Sequence, residues 1–213
     1  MNEDDLFNKY NSWLSVIHND IQWLSSNYFI YREIKKIISN NKNIQENNAI
    51  YHWMSMVVND SIAMGIRRQI CKRKDSISLF RLLHAFKRKP QIISSERYVA
   101  LYTTLPQSFA HHDFDNLAGK ERKYIDAERI EADIMYLKEK TGNVEIFANK
   151  RVAHYGDESY ENIPTNDEIQ EALDCLEALL KKYLLIFRAE SWDIIPIFQF
   201  DWLRPLREPW IVS

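Results

Sequence analysis

Apolar positions recur three and four residues apart along most of this chain, the spacing that gathers them onto one face of an α-helix. In the first stretch they are Leu6, Tyr10, Trp13, Leu14, Ile17, Ile21 and Leu24, and Phe29 to Ile38 continues the same helix. The polar, turn-forming run Ser39-Asn-Asn-Lys-Asn43 then breaks the pattern. A second helix is predicted from near Gln45, with Ile50, Trp53, Met54, Val57, Val58 and Ile62 in one stripe that carries on to Ile66 and Ile70. Lys74-Asp-Ser76 reads as a stop and a cap, and Ile77, Leu79, Phe80, Leu82 and Leu83 open a shorter helix that Pro90 ends. A short helix is predicted over Ser95 to Thr104, and Pro106 to Asn116 reads as a connecting loop.

The pattern predicts a long helix from about Leu117 through Tyr124, Ile130, Ile134 and Leu137 to Lys140, with an end or kink at Thr141-Gly-Asn143. A short helix from Val144 to His154 follows, closed by Gly156. Ile169, Leu173, Leu176, Leu180, Tyr183, Leu184 and Phe187 define a last helix, with Thr165 and Asp167 as caps. The tail is different: Pro196, Pro205 and Pro209 forbid a regular helix there, while Trp192, Phe198, Phe200, Trp202 and Trp210 call for burial. The predicted fold is all-α, an up-and-down bundle of four main helices with shorter ones between them. One domain spans residues 1–190, and an extended Pro/aromatic tail, 191–213, docks on the bundle or on a dimer partner.

Composition narrows this picture without adding to it. With 213 residues and 46% hydrophobic content the chain can bury a full core unaided, and only 4 glycines and 6 prolines suit long helices better than a turn-rich β fold. So few glycines also leave no Gly-rich phosphate loop of the usual nucleotide-binding folds. A net charge of -2 gives no general attraction to nucleic acid or to an anionic membrane, so any such binding must be local. Cys71 and Cys175 form neither a CxxC pair nor a disulfide framework, and Asn2-Glu-Asp-Asp5 stands where a secretory leader would be basic. The expectation is a cytoplasmic protein with no membrane span.

Candidate chemistry concentrates in Phe147-Ala-Asn-Lys-Arg-Val-Ala-His154-Tyr-Gly156. On a helix Lys150 and Arg151 precede His154 by four and three residues, so the three can crowd one face and hold a phosphate. The unpaired carbonyls of a last helical turn would favour a charged His154. The plain alternative is a histidine that caps or packs a helix end. A second feature is the basic segment Arg67, Arg68, Lys72, Arg73, Lys74, Arg81, Lys87, Arg88 and Lys89, set against Asp75 alone. It suits RNA phosphates, or equally a solvated surface balanced by acidic helices nearby. Cys71 beside Arg67, Arg68 and Lys72 could carry a lowered pKa, although a buried or idle thiol is the simpler reading. His111-His-Asp-Phe-Asp115 offers metal-capable side chains without a second ligand cluster, so it reads as a polar loop, and no metal or cofactor is expected.

Asn149, Lys150, Ala153 and His154 match the Arg-Asn-Lys-x-x-Ala-His motif of the HEPN superfamily, and the chain resembles that superfamily's abortive-infection-like branch of small helical proteins. Gly65-Ile-Arg-Arg-Gln-Ile70 followed by Ser76-Ile-Ser-Leu-Phe-Arg-Leu-Leu83 is similar to the family's arginine-bearing second helix and the short helix after it. The likeness covers about residues 46–188 in order. The family's arginine falls on Ala148, so the Arg-to-His pairing of active members is missing unless Arg151 substitutes for it. The resemblance implies a bundle that dimerises with its motif helices together. In active members it implies a metal-independent endoribonuclease, in which the ribose 2′-hydroxyl attacks the neighbouring phosphate. It would make His154 the general acid or base, with Asn149, Lys150 and Arg151 as phosphate or orienting groups. Arg67, Arg68, Lys72, Arg73 and Lys74 would bind the RNA. The setting implied is phage defence or a toxin-antitoxin system. A catalytically silent, antitoxin-like interaction bundle with a protein partner is the alternative that Ala148 suggests.

Overall fold

The computed structural model describes residues 2–44, 49–103, 106–153, 162–191, 193–194 and 200–207. Seven α-helices occur among them: α1 (Glu3–Ser39), α2 (Ala49–Gln69), α3 (Leu79–Lys87), α4 (Ser95–Ala100), α5 (Gln107–Ala118), α6 (Ala127–Phe147) and α7 (Asn166–Arg188). No β-strand is formed among the described residues; Ser94 and Tyr124 make a lone antiparallel bridge.

The long helices α1, α2, α6 and α7 alternate in direction. The start of α7 meets the end of α1, where the Tyr28 hydroxyl donates to the Asn166 carbonyl at 3.1 Å, and its end meets the start of α1, where Arg188 donates to the Asn11 carbonyl at 2.8 Å. Lys140 with Glu171 at 2.9 Å and Lys182 with Asp133 at 2.7 Å set α6 against α7 in the same antiparallel sense. Asp20 beside Arg68 at 2.8 Å joins α1 to the last turn of α2, and Arg67 beside Asn149 joins that turn to the segment just past α6. The shorter α3 packs on α6 and α1, and α4 on α5.

The apolar stripes read from the sequence are the faces that this arrangement buries. Leu14, Ile17, Ile21 and Leu24 of α1 are fully buried, as are Ile134 and Leu137 of α6 and Leu176, Leu180, Tyr183, Leu184 and Phe187 of α7. Each such side chain contributes about 1.5–3 kcal/mol by leaving water. Two ends are capped reciprocally: the Asn2 side chain accepts from the Asp5 backbone while Asp5 accepts from Asn2, and Thr165 and Glu168 do the same for α7. Gly65 allows α2 to lie close on α1, since a Cβ there would fall 2.0 Å from a Leu24 methyl.

Several local expectations are corrected. Pro106 to Asn116 is not a loop. Pro106 sits at the cap position of α5, where a missing N–H costs nothing, and Ala110, Phe114 and Ala118 form the buried stripe that the polar His111-His-Asp113 run obscured. The following helix begins at Ala127 rather than Leu117, because Gly119 ends α5 with a positive φ of 101° and Asp126 caps α6. Thr141-Gly-Asn143 does not end α6, which runs on to Phe147. Thr141 is buried and donates its hydroxyl to the Leu137 carbonyl at 2.6 Å within the helix. The separate helix expected from Val144 is the continuation of α6, which passes into a single π-helical turn, Ala148–Val152. The helix expected over Ser95 to Thr104 stops at Ala100.

Of the tail, Trp202 lies against Phe29 with ring centroids 6.4 Å apart and Ile194 is buried, whereas Phe200 is 70% exposed and so escapes the burial expected of it. Trp192, Pro196, Phe198, Pro209 and Trp210 lie outside the described residues. Among the described residues no helix is long and apolar enough to cross a membrane.

Candidate functional site

Two features that lie some eighty residues apart in sequence meet at one end of the bundle. The last turn of α2, the loop to α3 and the π turn after α6 enclose a cleft of about 480 Å³, lined by Arg67, Arg68, Cys71, Lys72, Arg73, Asp75, Ser76, Ile77, Glu145 and Asn149. Four cations thus face two carboxylates, and the local excess is positive although the chain as a whole is slightly acidic.

The loop is held by polar contacts that the sequence did not advertise. Gln69 is almost wholly buried; its amide donates to the Asp20 carboxylate, and its oxygen accepts from the Leu79 backbone N–H at 3.2 Å. Ser78 donates to the Cys71 carbonyl at 2.7 Å and accepts from the Arg81 backbone at 3.2 Å, which ties off the loop and caps α3 at once. Asp20 also receives Arg68 at 2.8 Å. A single carboxylate on α1 therefore anchors both residues that end α2.

The cations around the cleft are not equivalent. Arg73 grips Asp75 with two hydrogen bonds, at 2.7 and 3.1 Å, and these hold the Asp75 carboxyl below its usual range. Arg68 is taken by Asp20, and Lys72 stands 3.9 Å from Glu145, too far for a hydrogen bond. Arg67 forms no ion pair among the described residues; its Nε–H donates instead to the side-chain oxygen of Asn149. That contact uses the Nε–H alone, and among the described residues no carboxylate balances the charge of this half-buried guanidinium. The rest of the basic run is dispersed: Lys87 pairs with Glu131 at 2.8 Å, and Arg81 stacks over the Trp13 ring at 4.8 Å.

Asn149 reaches Arg67 from the π turn, in which the Ala153 N–H bonds the Ala148 carbonyl at 2.9 Å, five residues back. Single π turns commonly mark functional sites because the extra residue re-aims the side chains around it. Ala148, the position that precedes Asn149, is completely buried and belongs to the core. Lys150 and Arg151 are exposed and do not line the cleft, and Lys74 lies exposed on the loop outside the lining. His154 lies outside the described residues, one position past Ala153. The guanidinium that stands beside the motif asparagine is thus Arg67 of α2, not Arg151.

No protein-family model, curated protein or solved structure matches this chain.

Cys71, half-buried at the cleft wall, is the second reactive group. Burial pushes its thiol up, but the Ser76 hydrogen bond, the Arg73 backbone N–H and the charges of Arg73 and Arg67 outweigh it, and the net direction is downward. Cys175 is fully buried in α7, where desolvation drives its thiol up to about 12. Among the described residues no three His, Cys, Asp or Glu side chains converge as a metal site would require. His111 and His112 lie exposed on α5, and Asp113 is engaged by the Tyr102 hydroxyl at 2.6 Å.

Proposed function

We propose that this chain is an HEPN-like RNA-binding protein whose cleft at the end of α2 holds a phosphodiester, with Arg67 and Lys72 as the phosphate ligands. One observation carries the reading: the only lining guanidinium without a carboxylate partner among the described residues is bonded to Asn149 of the Asn-Lys-x-x-Ala-His motif. A pre-positioned, uncompensated guanidinium is suited to an anionic oxygen because its geometry is fixed before the ligand arrives. The segments lining the cleft are also those that carry the family resemblance, and His154 follows one of them directly in sequence. In the active form of this reading His154 moves the proton of a ribose 2′-hydroxyl. That oxygen attacks the adjacent phosphorus and the P–O5′ bond breaks, so that a 2′,3′-cyclic phosphate forms and the 5′-oxygen leaves as a hydroxyl with a proton returned to it, while Arg67 and Asn149 steady the developing charge. The setting is phage defence or a toxin-antitoxin pair.

Ala148 favours a second reading, in which the chain is a catalytically silent, antitoxin-like module with a protein partner. Its buried position leaves no space for the arginine of active family members. The two readings separate in one experiment. Purified protein is incubated with structured and single-stranded RNAs in EDTA, beside His154→Ala and Arg67→Gln variants. Cleavage lost in both variants supports the nuclease, and binding without cleavage that weakens in Arg67→Gln supports the silent RNA-binding form. Binding as poor in the wild type as in both variants refutes the RNA reading.

A further inference from the structure

The α1–α2 hairpin reaches past the core that the other helices build. In the first 13 residues of α2, Ala49 to Ser61, not one residue is buried, although the segment carries Ile50, Tyr51, Trp53, Met54, Met56, Val57 and Val58. Along the facing end of α1, from Arg32 to Ser39, none is buried either. Ile50 is 73% exposed, Trp53 62%, Met56 60%, Trp23 51% and Val57 45%. Between the two helices runs an apolar groove of about 230 Å³ that Trp23, Ile30, Ile34, Met54, Val57 and Val58 help to line. A helix apolar around most of its circumference belongs inside a core, and here one chain does not provide that core.

We infer that this arm is the interface with a second copy of the chain, two α1–α2 hairpins packing as a four-helix bundle about a twofold axis. Size supports a copy. Side chains of this kind present up to about 150–250 Å² each, and the five most exposed leave on the order of 600 Å² of apolar surface per protomer. Two protomers then bury on the order of 1,200 Å², the lower edge of what a stable interface needs and well beyond a chance surface patch. Charge supports it as well. Asp60 is the only formally charged residue from Ala49 to Ile66, so this face of α2 carries no electrostatic code to select a foreign partner. Twofold symmetry asks only that one patch suit itself, and an uncharged stripe rich in Trp, Ile and Met does so. Two hairpins also supply the four helices from which such a bundle is built. This pairing is unlike the one the family resemblance implies, in which the motif helices meet. It does not depend on whether the cleft binds RNA.

The test is the mass of the purified full chain by light scattering after size exclusion, at about 5 and 100 µM. The wild type should elute as a dimer of 25.4 kDa chains. A Trp53→Glu/Met56→Glu variant and, separately, Ile50→Glu should be monomeric, with helix content by circular dichroism unchanged because none of these side chains is buried. Met135→Glu, at an equally exposed α6 position (63%), should remain dimeric. A monomeric wild type at 100 µM overturns the inference, including one that captures lipid vesicles or another protein through Trp53. So does a dimer that survives both interface variants, because its contact then lies elsewhere.

Discussion

Removing the charge of Arg67 should change how RNA binding responds to salt by a predictable amount. Each phosphate neutralised on a single strand adds about 0.7 to the slope of log affinity against log salt. Arg68 and Arg73 are already held by Asp20 and Asp75 at hydrogen-bond distance, whereas among the described residues Arg67 is bonded to an amide, and Lys72 has Glu145 at 3.9 Å and the Phe80 ring at 5.6 Å, neither of them a hydrogen bond. Two of the four cations are therefore available, and the expected slope is about −1.4; all four together would give about −2.8. Between about 50 and 200 mM salt the first value weakens binding about sevenfold and the second about fiftyfold. Arg67→Gln should cut the slope to about −0.7, and Lys72→Gln should do the same. Arg68→Gln should leave the slope nearly unchanged. Fluorescence anisotropy of a labelled single-stranded RNA, titrated at four salt concentrations, measures all of these. An unchanged slope in both Arg67→Gln and Lys72→Gln removes the cleft from RNA binding, and equal losses from all three variants refute the division into free and occupied cations.

Two other outcomes follow from the same coordinates. Gly65→Ala should destabilise the protein by about 2 kcal/mol in urea unfolding, because a gain of about 1 kcal/mol in helix propensity is outweighed by overpacking against the buried Leu24, 2.0 Å away; Leu24→Ala should tolerate Gly65→Ala with little further loss, and additive losses would show that the contact is not the cause. Iodoacetamide near neutral pH should label Cys71 well before Cys175, since the thiol of the first is held below its ordinary value and lies at the cleft wall while the second, pushed up to about 12, stays protonated and enclosed until unfolding; Arg73→Gln should slow the Cys71 reaction, and equal rates at the two cysteines would contradict the electrostatic account, as mass spectrometry of the labelled peptides can decide.

The stripes of the four long helices were legible because they are long, and at α7 Thr165 is the cap expected of it, although its reciprocal partner is Glu168 and Asp167 lies inside the helix. Legibility failed where a local signal pointed one way and packing the other. Thr141-Gly-Asn143 looks like a terminator, yet Thr141 returns its hydroxyl to the helix and Asn143 donates to Glu168 of α7 at 2.7 Å, so tertiary contacts carry α6 through the weak spot. The two histidines of α5 disguised a stripe made of only Ala110, Phe114 and Ala118. At the cleft the residue types were visible, as a basic run and an asparagine motif, but their meeting was not. No local pattern indicates that Gln69 is buried or that Asp20 on α1 neutralises Arg68, and these contacts decide which cations remain available.

The π turn gives a physical reason for the small residue at 148 and for the outward position of Arg151. The core-facing residues of α6 are Ile130, Ile134, Leu137, Thr141 and Val144, and the stripe passes next to Ala148. In an uninterrupted α-helix Arg151, three residues later, would lie beside that stripe and press a guanidinium toward the bundle interior. The extra residue in the turn carries Arg151 out to solvent and brings Val152 against the core in its place. Asn149, at the start of the turn, is left facing α2 and meets Arg67. A small side chain at 148 is what lets the turn seat on the core, and an arginine there would have to be driven into it. The guanidinium at this site can thus be supplied from α2 while the late helix keeps its asparagine. The two residues can serve as one unit only while the Ala148–Val152 turn keeps its π register.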